Sequence, residues 1–219
     1  MPRITDEHRE ARRDQIIRAG LACVQEHGLE AVSMEMIIAR SGLSTGAVYR
    51  YFKGKDDILA ATVIATAQEI GAAVVPVLDH PAPGSLSELI ESLLWAWAGY
   101  ARSGIGAAAG VDRMPAALHG WSYAQTDPEL KGALRAALLG FRERCVPIIR
   151  QWQADGVIAP DVSPEAVAQL IVTISLGFVT QRSLVGDADI EAHADALAAL
   201  GKLARHVSAG APGGLPARG

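Results

Sequence analysis

The chain has 219 residues, of which 50% are hydrophobic and 20% are charged, as expected of a globular protein with one large or two small domains. Its formal net charge of −4 excludes the strongly basic overall composition of many nucleic-acid-binding proteins. The charges are unevenly distributed, since residues 1–55 hold nine Lys or Arg against seven Asp or Glu, whereas the rest of the chain is net acidic.

The sequence also argues against several kinds of site. The N-terminal stretch lacks the apolar core of a signal peptide, and no uninterrupted apolar run of about 18 residues predicts a transmembrane helix, so we expect a cytoplasmic protein with no membrane partner. Cys23 and Cys145 lie far apart in apolar surroundings and are expected to be buried free thiols. No spacing of ligands resembles a metal site and no nucleophile is paired with a base, so we predict no cofactor and no enzyme activity.

The first helix is expected from about Glu7 to His27, where Gly28 ends it. The preceding residues 1–8 form an arm in which Arg3 could reach a DNA backbone, although such arms are usually disordered. The residues on the core face of this helix recur at helical spacing and are Ile16, Ile17, Gly20, Leu21 and Val24.

The next stretch predicts two short helices joined by a tight turn. Ser33 is the expected N-cap of the first helix, Met34–Ser41, and Gly42 supplies the positive φ that the turn requires. Ser44 is the expected N-cap of the second helix, Thr45–Phe52. A helix-turn-helix of this kind places its second helix in the major groove of DNA.

Helical phase gives the second helix two faces. Val48 and Phe52 are expected to be buried, and the outward residues are Thr45, Gly46, Tyr49 and Arg50. Small residues at the start of a recognition helix can approach base edges, and an arginine can read guanine. A merely solvated face is the alternative interpretation of these four residues.

The run IIARSGLSTGAVYRYFKGKDDIL, residues 37–59, resembles the DNA-binding signature of the tetracycline-repressor (TetR/AcrR) family. The chain departs from that signature at Ile38, where the family favours a small Ala at the closest helix–helix contact, and more mildly at Ser41. The matching positions are Ile37, Gly42, Ser44, Gly46, Val48, Tyr49, Tyr51, Phe52, Lys55, Asp56 and Ile58.

The resemblance implies a surface that contacts DNA. In the family, a lysine at the position of Lys55 holds a phosphate. Ser33 and Ser44 can act as caps only or also bind phosphate, since free N–H groups at a helix start favour anions. The residues expected at DNA are Ser33, Ser44, Thr45, Gly46, Tyr49, Arg50, Tyr51 and Lys55.

Beyond the motif the sequence predicts about six more helices. The first, about Lys55–Leu78, has an apolar stripe and ties the DNA-binding head to the body in the family. The segment Ser103–Gly110 predicts a helix break or a loose helix of small residues. Its glycines do not indicate a dinucleotide site, because no strand precedes them. Pro147 is expected to kink the helix around it. The other helices are expected at Ser85–Arg102, residues 112–125, residues 128–154, Ala166–Leu184 and Asp189–Val207.

Aromatic and polar residues of these helices define a candidate ligand pocket in the body. Pockets of this kind are mostly apolar with a few polar anchors. Aromatic residues at helical spacing are more often plain core, so core packing stays open as the alternative. The candidate ligand-binding residues are Trp97, Tyr100, Trp121, Phe141, Arg144, Cys145, Ile148, Trp152, Phe178 and Gln181.

We therefore predict an all-α fold of about nine helices. The expected domains are a helix-turn-helix DNA-binding domain over residues 1–54, a helical ligand-binding and dimerisation domain over residues 55–208, and a disordered tail over residues 209–219. Because Ala166–Leu184 is apolar on several sides, we expect a homodimer through this helix and the last one, Asp189–Val207.

The resemblance implies a ligand-responsive transcriptional regulator. We expect a repressor that binds a palindromic double-stranded DNA operator as a dimer and is released by a small apolar or aromatic effector. The alternative is a helical small-molecule-binding or scaffold protein whose head no longer reads DNA, which the weak basic excess and Ile38 would favour. An all-helical enzyme is a third possibility, without supporting residues.

Overall fold

The computed structural model describes residues 6–79, 83–103, 112–186 and 189–199, and within these ranges every regular element is a helix. The predicted all-α fold is confirmed. Expectations for Arg3, for residues 104–110, for the end of the last helix and for the tail concern parts of the chain outside the described residues. The helices are α1 Asp6–His27, α2 Met34–Ser41, α3 Thr45–Val48, α4 Lys55–Val74, α5 Pro76–Asp79, α6 Leu86–Ala101, α7 Met114–Tyr123, α8 Pro128–Ala154, α9 Pro164–Val185 and α10, residues 190–199.

Side-chain caps set where many of the helices begin. The Ser33, Ser44, Ser85 and Ser163 side chains each accept a hydrogen bond from a backbone N–H of the helix that follows. Asp127 accepts two such bonds, at 2.9 and 3.1 Å, at the start of α8. These bonds satisfy N–H groups that have no partner inside a helix, so short polar residues in the sequence mark the helix starts.

The long helix expected over Lys55–Leu78 is in fact two helices. α4 ends at Val74 and α5 begins at Pro76. Proline has no N–H to donate and its ring clashes with the carbonyl one turn earlier, so the chain restarts a helix at this residue instead of continuing one. Pro147, by contrast, lies within α8, which continues to Ala154, and the kink expected there stays a prediction.

The helices pack around two apolar cores. The head core joins α1, α2 and α3 to the start of α4, and its buried residues include Ile16, Ile37, Val48, Phe52, Ile58 and Leu59. The body core joins the second half of α4 to α6, α7, α8, α9 and α10, and its buried residues include Ile70, Leu89, Leu93, Trp97, Met114, Ile149, Ile171, Phe178 and Ile190. Helix α4 therefore supplies side chains to both cores.

Two of the described helical stretches, Lys55–Asp79 and Pro164–Val185, are long and apolar enough to cross a membrane by length and composition alone. Core helices of globular proteins meet the same criterion. Helix α4 packs against α1, α6, α7 and α8, and α9 packs against α6, α7 and α8. Burial between helices accounts for much of their apolar composition.

Candidate functional site

The turn between α2 and α3 is fixed by a network of hydrogen bonds around Ser41. Gly42 has φ 67°, a conformation that glycine adopts without steric cost. The Ser41 hydroxyl donates to the Ile38 carbonyl at 2.8 Å and accepts from the Leu43 N–H at 3.2 Å. Gln15 of α1 donates to the Ser41 carbonyl at 2.7 Å. The serine that departs from the family pattern thus helps to hold the turn in place.

Helix α3 exposes the residues that helical phase assigned to DNA. Val48 and Phe52 are 0% and 2% exposed and pack in the head core. The guanidinium carbon of Arg13 lies 5.2 Å from the centre of the Phe52 ring. The outward residues are exposed, and they are Thr45, Gly46, Tyr49 and Arg50.

Helix α3 is shorter than the predicted Thr45–Phe52 helix, because regular helix ends at Val48. The Arg50 N–H bonds the carbonyl three residues earlier at 3.3 Å, and the Tyr51 N–H does the same at 3.0 Å. These tighter bonds continue the helical path as turns to Phe52. Tyr49 and Arg50 therefore stay on the outward side although they lie beyond the regular helix.

The remaining residues expected at DNA are placed differently. Ser44 is exposed, and its hydroxyl accepts from the Ala47 N–H at 3.3 Å. Ser33 is half-buried and caps α2. Tyr51 packs against the head core, and Lys55 is half-buried as the first residue of α4. Five of the eight residues are thus exposed and three are partly covered, and their contacts with DNA stay a prediction.

An ion pair braces the head. The Arg40 guanidinium of α2 donates through two nitrogens to the two carboxylate oxygens of Glu26 in α1. This arrangement holds the pKa of Glu26 below its ordinary value. The Arg40 side chain is thereby bonded within the head, where it ties α2 to α1.

The candidate ligand residues of the body lie mostly in or against the body core. Six are buried, which are Trp97, Tyr100, Cys145, Ile148, Trp152 and Phe178. Trp97 meets Trp121 edge to face, with ring centres 6.5 Å apart. Phe141 is partly buried and packs against the same core. Arg144 is exposed and lies 3.5 Å from Asp79, whereas Gln181 is simply exposed. A ligand-binding role for this set stays a prediction.

An open cavity of about 460 Å³ lies between α4 and α6 and reaches the start of α7. Of the predicted ligand-binding residues, Tyr100 lines this cavity. Glu69 and Arg113 also line the cavity, and sequence reasoning missed both, because no local spacing links two charged residues that lie 44 positions apart. The full lining is Glu69, Ala72, Ala73, Ala96, Gly99, Tyr100, Ser103 and Arg113.

Arg113 is the most buried charged residue of this cavity, with 2% of its surface exposed. Its guanidinium carbon lies 4.6 Å from the centre of the Tyr100 ring. It donates to the Glu69 carboxylate and, at 3.3 Å, to the Ser103 carbonyl. Burial raises the pKa of Tyr100 to about 12 despite the adjacent positive charge of Arg113. The residue next to Arg113, Asp112, is bonded to Arg182 of α9 at 3.0 Å.

The two cysteines are buried thiols, as the sequence predicts. Burial raises the pKa of both, that of Cys145 to about 11. They therefore stay protonated at neutral pH, in the unreactive form of the group. In the part of the chain that the structure describes, no three His, Cys, Asp or Glu side chains lie close enough together to hold a metal ion.

Two regions of the chain match known sequence families. Residues 16–62 match the family described as bacterial regulatory proteins, tetR family, and residues 108–202 match the BetI-type transcriptional repressor, C-terminal family. The chain is 32% identical over 83 residues to the HTH-type transcriptional regulator BetI of Klebsiella pneumoniae, a stretch that covers 38% of this chain and 43% of that protein. The chain thus spans less than half the length of the curated relatives it matches.

Solved structures share the fold over most of the chain. A TetR transcription regulator from Haloarcula marismortui superposes with a TM-score of 0.70 at 21% identity, over 89% of this chain and 98% of that one. The SmeT–triclosan complex superposes with a TM-score of 0.56 at 21% identity, over 80% and 81% of the two chains. These likenesses show that the fold is shared. The two family matches, to residues 16–62 and 108–202, show that the chain belongs to the tetR family of bacterial regulatory proteins.

Proposed function

We propose that this chain is a ligand-responsive transcriptional regulator, a repressor that binds a palindromic DNA operator as a homodimer in the cytoplasm. The observation that carries the proposal is the helix-turn-helix itself. Buried Val48 and Phe52 hold α3 against the head core, and the polar groups of Thr45, Tyr49 and Arg50 are thereby exposed. A rigid helix that presents such groups outward has the form that reads base edges in a major groove.

A homodimer would place two such heads on one DNA duplex. Helix α9 supports this because it exposes large apolar side chains, with Leu170 at 47%, Leu184 at 77% and Val185 at 71% exposure. Apolar surface of this kind is stabilised when a second copy covers it, and obligate interfaces bury on the order of 2,000 Å² or more. In the described part of α10, Ile190 is buried and no large apolar side chain is exposed. Of the last two helices, α9 therefore offers more exposed apolar surface to a second copy.

Release from DNA would require the body to move the head, and α4 is the connection. Its residues Ile58 and Leu59 lie in the head core, and its residues Ile70 and Val74 lie in the body core. A ligand that binds better to one tilt of α4 shifts the population of head positions by its differential affinity. A structural relative, SmeT, is known in complex with triclosan. We infer a small apolar or aromatic effector for this chain too.

The second candidate function is a small-molecule-binding or scaffold protein whose head does not read DNA. The small basic excess of residues 1–55 favours it. The exposed set on α3 favours the regulator more strongly, because it is the part of the family motif that contacts DNA. The two functions differ in one measurable property, specific binding to duplex DNA.

The test is selection of bound duplexes from a random pool, with sedimentation of the same protein in the absence of DNA. The regulator should enrich a palindrome whose half-sites lie about one helical turn, roughly 34–36 Å, apart, and should sediment as a dimer at micromolar concentration. The double variant Tyr49→Ala/Arg50→Ala, changed only at exposed residues, is the matched control and should enrich nothing. A protein that sediments as a monomer and enriches no sequence would contradict the proposed regulator. The small-molecule-binding or scaffold function would then remain.

A further inference from the structure

The cavity between α4 and α6 holds a buried arginine whose bonding is incomplete. Arg113 is 2% exposed, yet its Nε has no hydrogen-bond partner among the described residues. The Tyr100 ring lies against the same guanidinium, with its centre 4.6 Å from the guanidinium carbon. Buried polar groups in native structures are nearly always bonded, so an unbonded guanidinium nitrogen at a cavity indicates a site for a further polar partner.

The carboxylate partner of Arg113, Glu69, is paired with it incompletely. Glu69 accepts from Nη2 of Arg113 but not from Nε, so the pair is bonded through one nitrogen of the guanidinium edge. The Glu69 side chain is 48% exposed, whereas that of Arg113 is 3% exposed. Glu69 therefore bonds one of the two N–H groups on this edge of the guanidinium. A free carboxylate could accept from both Nε and Nη2. Bidentate carboxylate–arginine pairs are stronger and more specific than single bonds.

Replacement of the Glu69 carboxylate by that of a ligand would cost little free energy. Arg113 has already lost its hydration in the fold, and Glu69 can turn into solvent because half of its side chain is already there. Much of the rest of the wall is small and apolar, at Ala72, Ala73 and Ala96, and leaves room for a hydrocarbon body. Charged and apolar features thus lie where a small amphipathic acid needs them.

We propose that this cavity binds an organic monocarboxylate whose carboxylate displaces Glu69 from Arg113 and whose apolar body lies along the alanine wall. The proposal deepens the proposed function, on which it rests for its regulatory meaning. Displacement of Glu69 removes a link between α4 and the start of α7, and α4 carries the head. The acid would thereby bias the tilt of α4 and so the affinity for DNA.

The experiment measures binding of benzoate, phenylacetate and octanoate to the full chain by titration calorimetry, each against its primary amide. At least one acid should bind roughly tenfold or more tightly than its amide, since a bond to a charged group contributes about 1.5–3 kcal/mol. Arg113→Gln should remove this preference. Glu69→Gln should strengthen binding of the acid, because the internal competitor loses its charge.

Gly99→Leu tests the location without touching the ion pair. A Cβ at Gly99 meets no atom within 4 Å, so the substitution is accommodated at the backbone. Because Gly99 lines the cavity, we expect the leucine side chain to occupy part of it. Gly132→Leu on α8, also free of contacts at Cβ, is the matched control. The acid should be lost in Gly99→Leu and kept in Gly132→Leu. If Arg113→Gln does not fold, this pair and Glu69→Gln decide the result.

Several outcomes would overturn the proposal. They are the absence of binding by any of the acids to the wild type and to Glu69→Gln, equal binding of acid and amide, and unchanged binding in Gly99→Leu. A purely structural ion pair predicts lower melting temperatures for both charge variants and no effect on ligands. Binding is measured without DNA, so failure of the protein to bind an operator would remove the proposed function and leave the carboxylate site intact.

Discussion

The head and the body use polar residues in opposite ways. In the head, the polar and aromatic groups of α3 are exposed, and the apolar residues between them anchor the helix in a core made by neighbours close in sequence. In the body, Arg113 and Tyr100 are buried between α4, α6 and α7. The head therefore exposes its polar groups to solvent, whereas the body buries an arginine whose Nε has no hydrogen-bond partner among the described residues.

Removal of a large side chain from the body core should have the largest effect and tests whether the two regions are separable. Phe178 is 1% exposed, so Phe178→Ala should lower the free energy of unfolding by about 3–5 kcal/mol through lost burial and a cavity. Chemical denaturation measures it. Lys131→Ala, at an exposed position of α8, is the control and should change stability by less than about 0.5 kcal/mol.

At low temperature, where Phe178→Ala is still folded, the same variant tests whether the head functions independently of body packing. Phe178 does not belong to the head core, so the affinity for operator should be retained. Loss of operator binding by folded Phe178→Ala would show that the surface of α3 depends on body packing.

The buried phenol of the body should make stability depend on alkaline pH. The pKa of Tyr100 is raised from 10.0 to about 12 by burial. Between these values the unfolded chain loses the proton and the folded chain keeps it, so the free energy of unfolding falls as pH rises. At about 1.4 kcal/mol per pKa unit, the loss attributable to Tyr100 reaches about 2 kcal/mol near pH 12.

Urea denaturation of wild type and Tyr100→Phe from pH 8 to about pH 11.5 measures this contribution. The variant lacks the titrating group, so its stability should fall less steeply above pH 10 than that of the wild type. Parallel curves would mean that the phenol is as accessible to solvent in the folded chain as in the unfolded one.

On the head, the comparison predicts two kinds of loss on DNA. Arg50→Ala should weaken operator binding by about 1–3 kcal/mol and relax the preference at one base pair of each half-site, because base contacts specify. Tyr49→Phe and Lys55→Ala should weaken binding about equally for all sequences, and Lys55→Ala should reduce the salt slope by roughly one unit. Titrations against operator variants at several salt concentrations separate the two kinds. Wild-type binding by all three variants would argue for the scaffold function.

The smallest effect is expected at the joint between α1 and α4. A Cβ at Gly20 would lie 2.9 Å from Cγ2 of Ile58 and 3.0 Å from Cγ2 of Thr62. Overpacking against these stiff β-branched side chains costs about 1–3 kcal/mol, and the helix gains about 1 kcal/mol from the alanine. Gly20→Ala should therefore lower the melting temperature by a few degrees.

Gly46→Ala is the matched control, since a Cβ there meets no atom within 4 Å. It should leave the melting temperature unchanged or raise it slightly, because alanine favours the helix and meets no atom there. Its effect should be on operator binding, where the backbone of α3 needs close approach. An unchanged or higher melting temperature for Gly20→Ala would show that α1 and α4 can separate slightly without cost.

Local sequence is sufficient for much of the head. Serine caps, a glycine with positive φ and helical phase are properties of a few adjacent residues, and they predict α2, the turn and the outward face of α3. The early end of α3 at Val48 was not predicted, because the change from helix to turns leaves the outward face unaltered and so has no signal in the hydrophobic pattern.

In the body, the sequence by itself determined the all-α fold, the helix starts and the apolar faces, since these follow from caps and periodicity within single helices. It did not identify the cavity. Arg113 and Glu69 lie 44 residues apart, and the turns and helices between them decide whether they meet. Small residues such as Gly99 leave space only where another helix fails to fill it. Tertiary packing alone therefore decided which polar groups became buried and which apolar faces enclose a cavity.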